Sequence, residues 1–132
     1  MRHTLWLFSL FAMLSGSVTS IRAAEPPFLV FEPHANVTGK HIVLISGDEE
    51  YRSEESLPQL AKILSTYHGF RCTVLFAIDR KDGTVNPGQP DNIPGLEALD
   101  SADLMVILTR FRDLPDDQMK HIVDYVESGK SS

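Results

Sequence analysis

The fold is decided by one stretch, His41-Ile42-Val43-Leu44-Ile45-Ser46-Gly47. An apolar run without polar alternation is typical of a strand that is covered on both faces, as strands of parallel sheets are. The run stops at Gly47, and a charged segment, residues 48–53, separates it from a predicted helix. Open α/β sheets bind ligands in the crevice beyond the carboxyl ends of their strands. We therefore expect the functional residues directly after Gly47.

Two further runs predict strands. Residues 72–78 are β-branched and apolar, and residues 104–108 are apolar throughout. A helix is predicted after the first strand. It begins at Ser56, which has the spacing of a capping box with Gln59, and it closes at Gly69, a residue that adopts the left-handed conformation easily.

The second and third strands are joined by a long connection. Residues 79–95 contain repeated Gly and Pro, which exclude regular structure over that length, so this is a binding loop or a mobile one. Leu96 and Leu99 then indicate a single helical turn. After the third strand a second full helix is predicted, with Asp113 as its cap and Gly129 at its end.

This alternation of strands and helices predicts an α/β domain with three layers and a parallel sheet. The domain spans residues 40–130, and residues 25–39, which contain three prolines and no sustained period, form an extended leader. A fourth strand would be expected next, but Ser131-Ser132 supplies none. We interpret residues 131–132 as the end of a domain truncated after its third β-α unit, with the third strand at an exposed edge.

The first 20 residues have the organisation of a secretory signal peptide. Arg2 and His3 precede the apolar residues 5–14, and small polar residues follow. The apolar segment is shorter than the roughly 20 residues that cross a bilayer as a helix. Cleavage after residue 20, or as late as residue 24, would yield a secreted or periplasmic protein without stable membrane insertion. An uncleaved membrane anchor is the alternative.

The chain is acidic, with a net charge of −6 at pH 7. Removal of residues 1–20 takes away Arg2 alone and makes the charge one unit more negative. This balance disfavours nucleic acid and anionic membrane surfaces as partners. The single cysteine, Cys72, cannot form an internal disulfide and is expected to pack in the second strand as a small hydrophobe.

No cofactor or metal is indicated by a motif. Ser46-Gly47 lacks the further glycines of a dinucleotide fingerprint and the lysine of a P-loop, so the cofactor is left unspecified. The acidic residues 48–50 could hold a hard cation only with oxygen ligands from elsewhere in the chain. The histidines do not cluster in sequence, whereas Zn²⁺ needs three or four convergent ligands.

Two polar clusters follow the first and third strands. They are Gly47, Asp48, Glu49, Glu50, Tyr51 and Arg52, and then Arg110, Phe111 and Arg112. If the first strand lies between the other two, as in flavodoxin-like order, the clusters face each other across the crevice. The guanidinium groups could then fork onto a carboxylate, a phosphate or sugar hydroxyls, and the aromatic rings could stack on a sugar. In the alternative interpretation, the arginines pair with neighbouring acids and only hold the loops.

Three segments of the chain resemble the ThuA-like (trehalose-utilisation) domain of exported bacterial proteins. They are ISGDEEYRSEE at residues 45–55, LTRFRDLPD at residues 108–116 and YVESGK at residues 125–130, in the order of the family. The resemblance covers roughly residues 40–130, the first half of the family domain. It implies a fold similar to that of class I glutamine amidotransferases and a role in carbohydrate processing. The second half of the family's site, with its histidine-bearing segments and the position of the amidotransferase cysteine, would follow Gly129.

The resemblance leads to two hypotheses. In the first, a complete protein processes a sugar or glycoside as a hydrolase or lyase, with Asp48 and Glu49 as candidate acid/base groups. The other seven residues of the two clusters would bind the substrate, and the present chain alone would be inactive. In the second, the chain is a non-catalytic module of flavodoxin-like fold that binds a sugar or a partner protein.

Overall fold

The computed structural model describes residues 26–132, so the signal peptide predicted for residues 1–20, or up to residue 24, lies outside the described residues. Within them the elements are β1 (Phe28–Phe31), β2 (His41–Gly47), α1 (Ser53–His68), β3 (Arg71–Phe76), a 3-10 helix (Leu96–Ser101), β4 (Leu104–Thr109) and α2 (Asp116–Glu127). The protein is a mixed α/β domain, as predicted. Among residues 26–132, no helix combines the length and apolar character that a membrane crossing requires.

The strands form one four-stranded sheet in the order β1-β3-β2-β4. β2 pairs in parallel with β3 on one side and with β4 on the other. β2 therefore lies between the other two parallel strands, which is the condition that the sequence analysis set for the two polar clusters to face each other. β1, in contrast, pairs with β3 in antiparallel orientation. The prediction of a wholly parallel sheet is wrong at this edge.

β1 lies within residues 25–39, which the sequence analysis interpreted as an extended leader. That interpretation is wrong for Phe28–Phe31. The strand is only four residues long and lies between prolines, too short a run to show a period. Its two ends are nevertheless anchored, since Phe28 packs against the core on one face of the sheet and Phe31 against the core on the other.

β2 is buried along its whole length, as its unbroken apolar sequence predicts. Val43 and Ile45 belong to the core cluster that includes residues of the 3-10 helix and α2, whereas Ile42 and Leu44 belong to the cluster that includes residues of α1. Helices therefore cover both faces of the sheet. Full burial of each such side chain contributes about 1.5–3 kcal/mol to the stability of the fold.

The helix ends were predicted better than the helix starts. Gly69 closes α1 with a φ of 74°, as expected. α1 begins at Ser53, however, so Ser56 lies inside the helix and the capping-box prediction is wrong. The cap predicted at Asp113 is also wrong, because α2 begins at Asp116 after Pro115 and has no side-chain cap. Neither helix has a side-chain hydrogen bond at its N-terminal cap.

The remaining connections include two isolated pairings. Ile78, which was expected to lie in a strand, is beyond the end of β3 and forms an isolated antiparallel bridge with Val85. Ser131 forms an isolated parallel bridge with Leu104 at the start of β4, and the Met105 N–H donates to the Ser131 carbonyl at 3.2 Å. Ser131 thus lies against the outer edge of β4, the edge that the sequence analysis expected to be exposed.

Candidate ligand-binding rim

The carboxyl ends of β2 and β4 lie side by side, with Gly47 paired in register with Thr109. From β2 the chain passes through α1 to β3 on one side, and the next crossover returns to β4 on the other side of β2. Such a change of direction is the topological switch point at which open α/β sheets form a crevice. We call the two loops at this point, residues 47–52 and 110–112, the switch rim.

Two ion pairs join the loops of the switch rim. Arg110 Nη1 contacts Glu50 Oε2, and Arg112 Nη2 lies 3.0 Å from Glu49 Oε2. The structure therefore brings together the two clusters that the sequence analysis expected to face each other. The alternative interpretation, in which the arginines pair with nearby acids, also has support. Arg110 pairs with Glu50, and Arg52 pairs with Glu55 in the first turn of α1.

Arg112 is the most buried arginine of the switch rim, with 7% of its side-chain surface exposed. Its Nε donates to the carbonyl of Arg110 at 2.6 Å. Its Nη1 donates to the carbonyls of Pro87 at 3.0 Å and Gln89 at 2.5 Å. Each guanidinium nitrogen thus has an acceptor within the protein. Arg112 was predicted as a substrate-binding residue. In the structure its hydrogen bonds hold the two loops of the switch rim and residues 79–95 together.

The connection at residues 79–95 is therefore held against the switch rim. Its own turns are closed by Asp79, whose carboxylate accepts the Lys81 N–H at 2.8 Å and the Asn86 side-chain amide at 3.1 Å. These bonds, the Lys81 N–H first, lower the pKa of Asp79. Farther along, the Gln118 side chain accepts the Ile93 N–H at 2.8 Å and ties the connection to α2. The sequence analysis missed Gln118, since a glutamine on a helix face carries no signal for such a role.

Asp48, one of the two candidate acid/base groups, is buried. Its Oδ1 accepts the backbone N–H groups of Glu50 at 2.8 Å and Tyr51 at 2.7 Å. An aspartate that bonds the main chain two and three residues ahead stabilises a turn. In this geometry Asp48 shapes the loop after β2, and Glu49, with 40% of its side chain exposed, is the member of the pair that reaches solvent.

Two buried serines, Ser46 and Ser53, stabilise the loop after β2. The hydroxyls of Ser46 and Ser53 lie 2.8 Å apart, and Ser53 Oγ also accepts the N–H of Asp48 at 3.0 Å. The sequence analysis did not select either residue for this role. The signal that could have found them is a small polar residue at the end of an otherwise apolar strand, since a buried hydroxyl needs a partner.

Gly47 is buried, although it was predicted to contact substrate. A Cβ at this position would lie 3.1 Å from Thr109 Cγ2 and 3.3 Å from both Arg112 Cδ and Ile93 Cδ1. Such distances are tighter than ordinary contacts between side chains. The absence of a side chain at Gly47 thus permits the close packing of β4, Arg112 and Ile93 beneath the rim.

The exposed part of the switch rim includes two aromatic rings. Tyr51 is 67% exposed and Phe111 is 74% exposed. The Arg110 guanidinium carbon lies 4.6 Å from the centroid of the Phe111 ring, within the range of a cation–π contact. Phe111 and Arg52 both adopt left-handed conformations, with φ values of 52° and 53°. Non-glycine residues in this region of φ persist where the surrounding contacts hold them, and such residues cluster at ligand sites.

Other titratable groups lie away from the switch rim. His41, at the amino end of β2, bonds Thr73 Oγ1 at 2.9 Å and Ser101 Oγ at 3.1 Å. Burial, with a smaller contribution from Arg71, lowers its pKa. Burial also raises the pKa of the Cys72 thiol to about 11. In the part of the chain that the structure describes, no three His, Cys, Asp or Glu side chains converge in a way that could hold a metal ion.

No family model, curated protein or solved structure matches this chain. The function of this chain is therefore inferred from the residues of the switch rim and from their geometry.

Proposed function

We propose that the switch rim binds a carbohydrate, either a free sugar or a glycoside, in an exported protein related to the ThuA-like domain. The observation that carries this proposal is the pair of exposed aromatic rings, Tyr51 and Phe111, on two loops joined by ion pairs. Aromatic side chains provide rigid apolar area for the C–H face of a sugar ring. Arg110 and Glu50, next to those rings, offer a donor and an acceptor for its hydroxyls.

The strand order supports a relation to flavodoxin-like sheets and, more specifically, to the class I glutamine amidotransferase-like fold. The three parallel strands occur along the chain as β2, β3 and β4, and they lie in the sheet as β3-β2-β4. Flavodoxin-like sheets begin with the same second-first-third order. An antiparallel edge strand such as β1 is common on sheets of this kind.

Sugar binding has more support in the geometry than sugar processing. Asp48 already accepts two backbone N–H groups, and Glu49 is paired with Arg112. A general acid or base must come within hydrogen-bond reach of the proton that it transfers. Glu49 is the candidate that meets solvent, so a hydrolase or lyase built on this rim would use Glu49, with Asp48 shaping the loop.

The binding proposal is tested by titrating the full chain with a panel of glycosides and 3-keto-glycosides in a calorimeter. The variants Tyr51→Ala and Phe111→Ala should each weaken binding by about 2- to 10-fold, because a ring contact contributes roughly 0.5–1.5 kcal/mol beyond its buried area. Tyr67→Ala is the matched control, since Tyr67 is 70% exposed but lies near the end of α1. Equal affinities for all four proteins, or no saturable binding in the panel, would refute the proposal.

Turnover separates the two functional hypotheses. The same glycosides are incubated with the unmodified chain, Glu49→Gln and Arg110→Ala, and the products are followed by chromatography. Turnover that both substitutions abolish identifies an enzyme. Saturable binding without turnover identifies a binding module, in which the ion pairs hold the loops and the aromatic rings hold the sugar.

A further inference from the structure

One edge of the sheet is formed by β4, whose backbone groups point alternately toward β2 and away from it. The Arg110 N–H, directly after β4, donates to the Gly47 carbonyl at 3.1 Å, so every second residue counted back from Arg110 points toward β2. The Met105 N–H points the other way and donates to the Ser131 carbonyl at 3.2 Å. The residues of β4 that follow Met105 at a spacing of two therefore point away from the sheet as well.

These outward-pointing residues are Ile107 and Thr109. We call their backbone N–H and C=O groups the β4 edge. In the part of the chain that the structure describes, residues 26–132, no backbone group donates to the β4 edge or accepts from it. A row of unpaired backbone donors and acceptors at the side of a sheet is a template for a further strand.

The sequence of β4 has none of the features that commonly block such pairing. Natural sheets protect their edges with short strands, prolines or charged residues. β4 reads LMVILT, without proline or charge, and Ile107 is 41% exposed. The opposite edge differs, because β1 has four residues and lies between Pro27 and Pro33. The sheet is therefore protected at β1 and open along the second half of β4.

We propose that the β4 edge binds an extended segment of a partner polypeptide, which adds a strand to the sheet. An extended backbone presents N–H and C=O groups at every second residue, so it matches the donors and acceptors of the β4 edge. Ser131 already occupies the adjacent position in this way, since it forms a parallel bridge beside Met105. Apolar side chains of the segment contact Val106 and Leu108 on the α1 side of the sheet, or Ile107 on the other side.

A second copy of this chain fits the β4 edge less well. Specific interfaces between two folded proteins bury about 800 Å² on each partner and involve about 20–30 residues a side. Two copies that met β4 to β4 would pair over Ile107 and Thr109 alone, because Ser131 occupies the position beside Met105. A flexible segment follows the edge without bringing a second folded domain against the sheet.

The test is amide hydrogen exchange of the full ¹⁵N-labelled chain, followed by NMR. The probe is the soluble peptide acetyl-Lys-Val-Thr-Val-Thr-Val-Lys-amide. In the free chain the amides of Ile107 and Thr109 should exchange rapidly, whereas the amide of Leu108, which points toward β2, should be protected. At a free peptide concentration of about ten times the dissociation constant, exchange at Ile107 and Thr109 should slow about tenfold. Exchange at Leu108 is the internal control.

Two modified peptides show whether backbone groups carry the binding. One peptide is N-methylated at its valines and the other at its threonines. Only one of these two sets of N–H groups can face the β4 edge, because the backbone groups of a strand alternate in direction. One methylation pattern should therefore abolish the protection, and the other should leave the affinity within about twofold.

A proline substitution tests the edge from the side of the protein. Ile107→Pro removes an outward N–H and no hydrogen bond to β2, so the peptide affinity should fall roughly 2- to 10-fold, the contribution of one hydrogen bond. Ile107→Thr keeps that N–H and is the matched control, with a smaller loss. The peptide experiments on the unmodified chain do not depend on how well either variant folds.

Three results would overturn the proposal. The first is protection of Ile107 and Thr109 in the free chain, which would mean that a second copy covers the edge if sedimentation shows a dimer, and that the chain itself covers it if sedimentation shows a monomer. The second is unchanged exchange at both residues in the presence of the peptide. The third is an equal effect of the two N-methylation patterns.

Discussion

Replacing Arg112 with alanine should destabilise the domain far more than replacing Arg110, its neighbour on the same loop. Arg112 is 7% exposed, and it bonds the carbonyls of Pro87, Gln89 and Arg110 as well as the Glu49 carboxylate. Arg110 is 37% exposed and pairs with Glu50, which is itself 54% exposed. The two substitutions remove the same charge from the same rim but different numbers of buried contacts.

The expected loss of stability depends on which of the lost contacts water can replace. Loss of one partner from a buried ion pair costs about 3–5 kcal/mol, whereas loss of an exposed pair costs about 0–1 kcal/mol. Glu49 is 40% exposed and can be hydrated again, so the main cost of Arg112→Ala comes from the carbonyls that lose a charged donor. We therefore expect a loss near the lower limit, about 3 kcal/mol. For Arg110→Ala we expect less than about 1 kcal/mol.

The free energy of unfolding is measured by urea titration followed by circular dichroism. Domains of this size commonly have about 5–15 kcal/mol in total, so a loss of 3 kcal/mol moves the midpoint clearly. Arg112→Lys keeps the charge but cannot reach three carbonyls with a planar fork, and it should show most of the loss. Amide hydrogen exchange at residues 86–92 should also accelerate in Arg112→Ala. Similar stabilities for Arg112→Ala and Arg110→Ala would show that the hydrogen bonds of Arg112 do not hold these loops together.

Three further predictions concern the body of the domain. Gly69→Ala should lower the free energy of unfolding by more than about 2 kcal/mol, because the new Cβ would lie 1.9 Å from the Asn36 carbonyl oxygen. Gly83→Ala is also at positive φ but has no non-adjacent atom within 4 Å of the new Cβ, so it should lower the free energy of unfolding by about 1 kcal/mol. Equal urea midpoints for the two variants would contradict this. Cys72, whose pKa is raised to about 11 by burial, should resist a disulfide reagent near pH 8 until urea unfolds the chain, and rapid labelling of the native protein would show that the thiol is accessible. Because burial lowers the pKa of His41 below 6.5, its contribution to stability should be complete above about pH 6.5 and decline as the pH falls. Urea midpoints between about pH 7.5 and 5.5 should show this decline, and a His41→Gln variant with the same slope would assign it to other groups.

The sequence predicted the centre of the sheet because burial on both faces leaves a direct trace in composition. β2 has no polar alternation, and it is buried at every residue. The neighbouring positions of β3 and β4, and with them the meeting of the acidic and arginine-rich loops, were expected only on the condition that the first strand lies between the other two. The alternation of elements does not decide that order. β1 left no comparable trace in the sequence. Phe28–Phe31 is a short strand at the edge of the sheet, and it pairs with the edge of β3 that lies opposite β2.

The roles within the switch rim could not be predicted from residue types. Asp48 and Glu49 are adjacent carboxylates in sequence, yet Asp48 is turned inward to bond two backbone N–H groups and Glu49 reaches solvent. Arg110 and Arg112 likewise differ in burial, with 37% and 7% of their side-chain surfaces exposed. The residue between them, Phe111, has a left-handed conformation that no motif in the sequence predicts.

The first turn of α1 is tied to the switch rim by buried hydroxyls. The hydroxyls of Ser46 and Ser53 lie 2.8 Å apart, and Ser53 Oγ accepts the Asp48 N–H. A capping box at Ser56 would have started the helix four residues later, at Leu57, and left Ser53 in the loop. Ser53 is instead the first residue of α1, so the start of the helix and the turn after β2 share one pair of buried hydroxyls. The position of the proposed sugar site therefore depends on that pair.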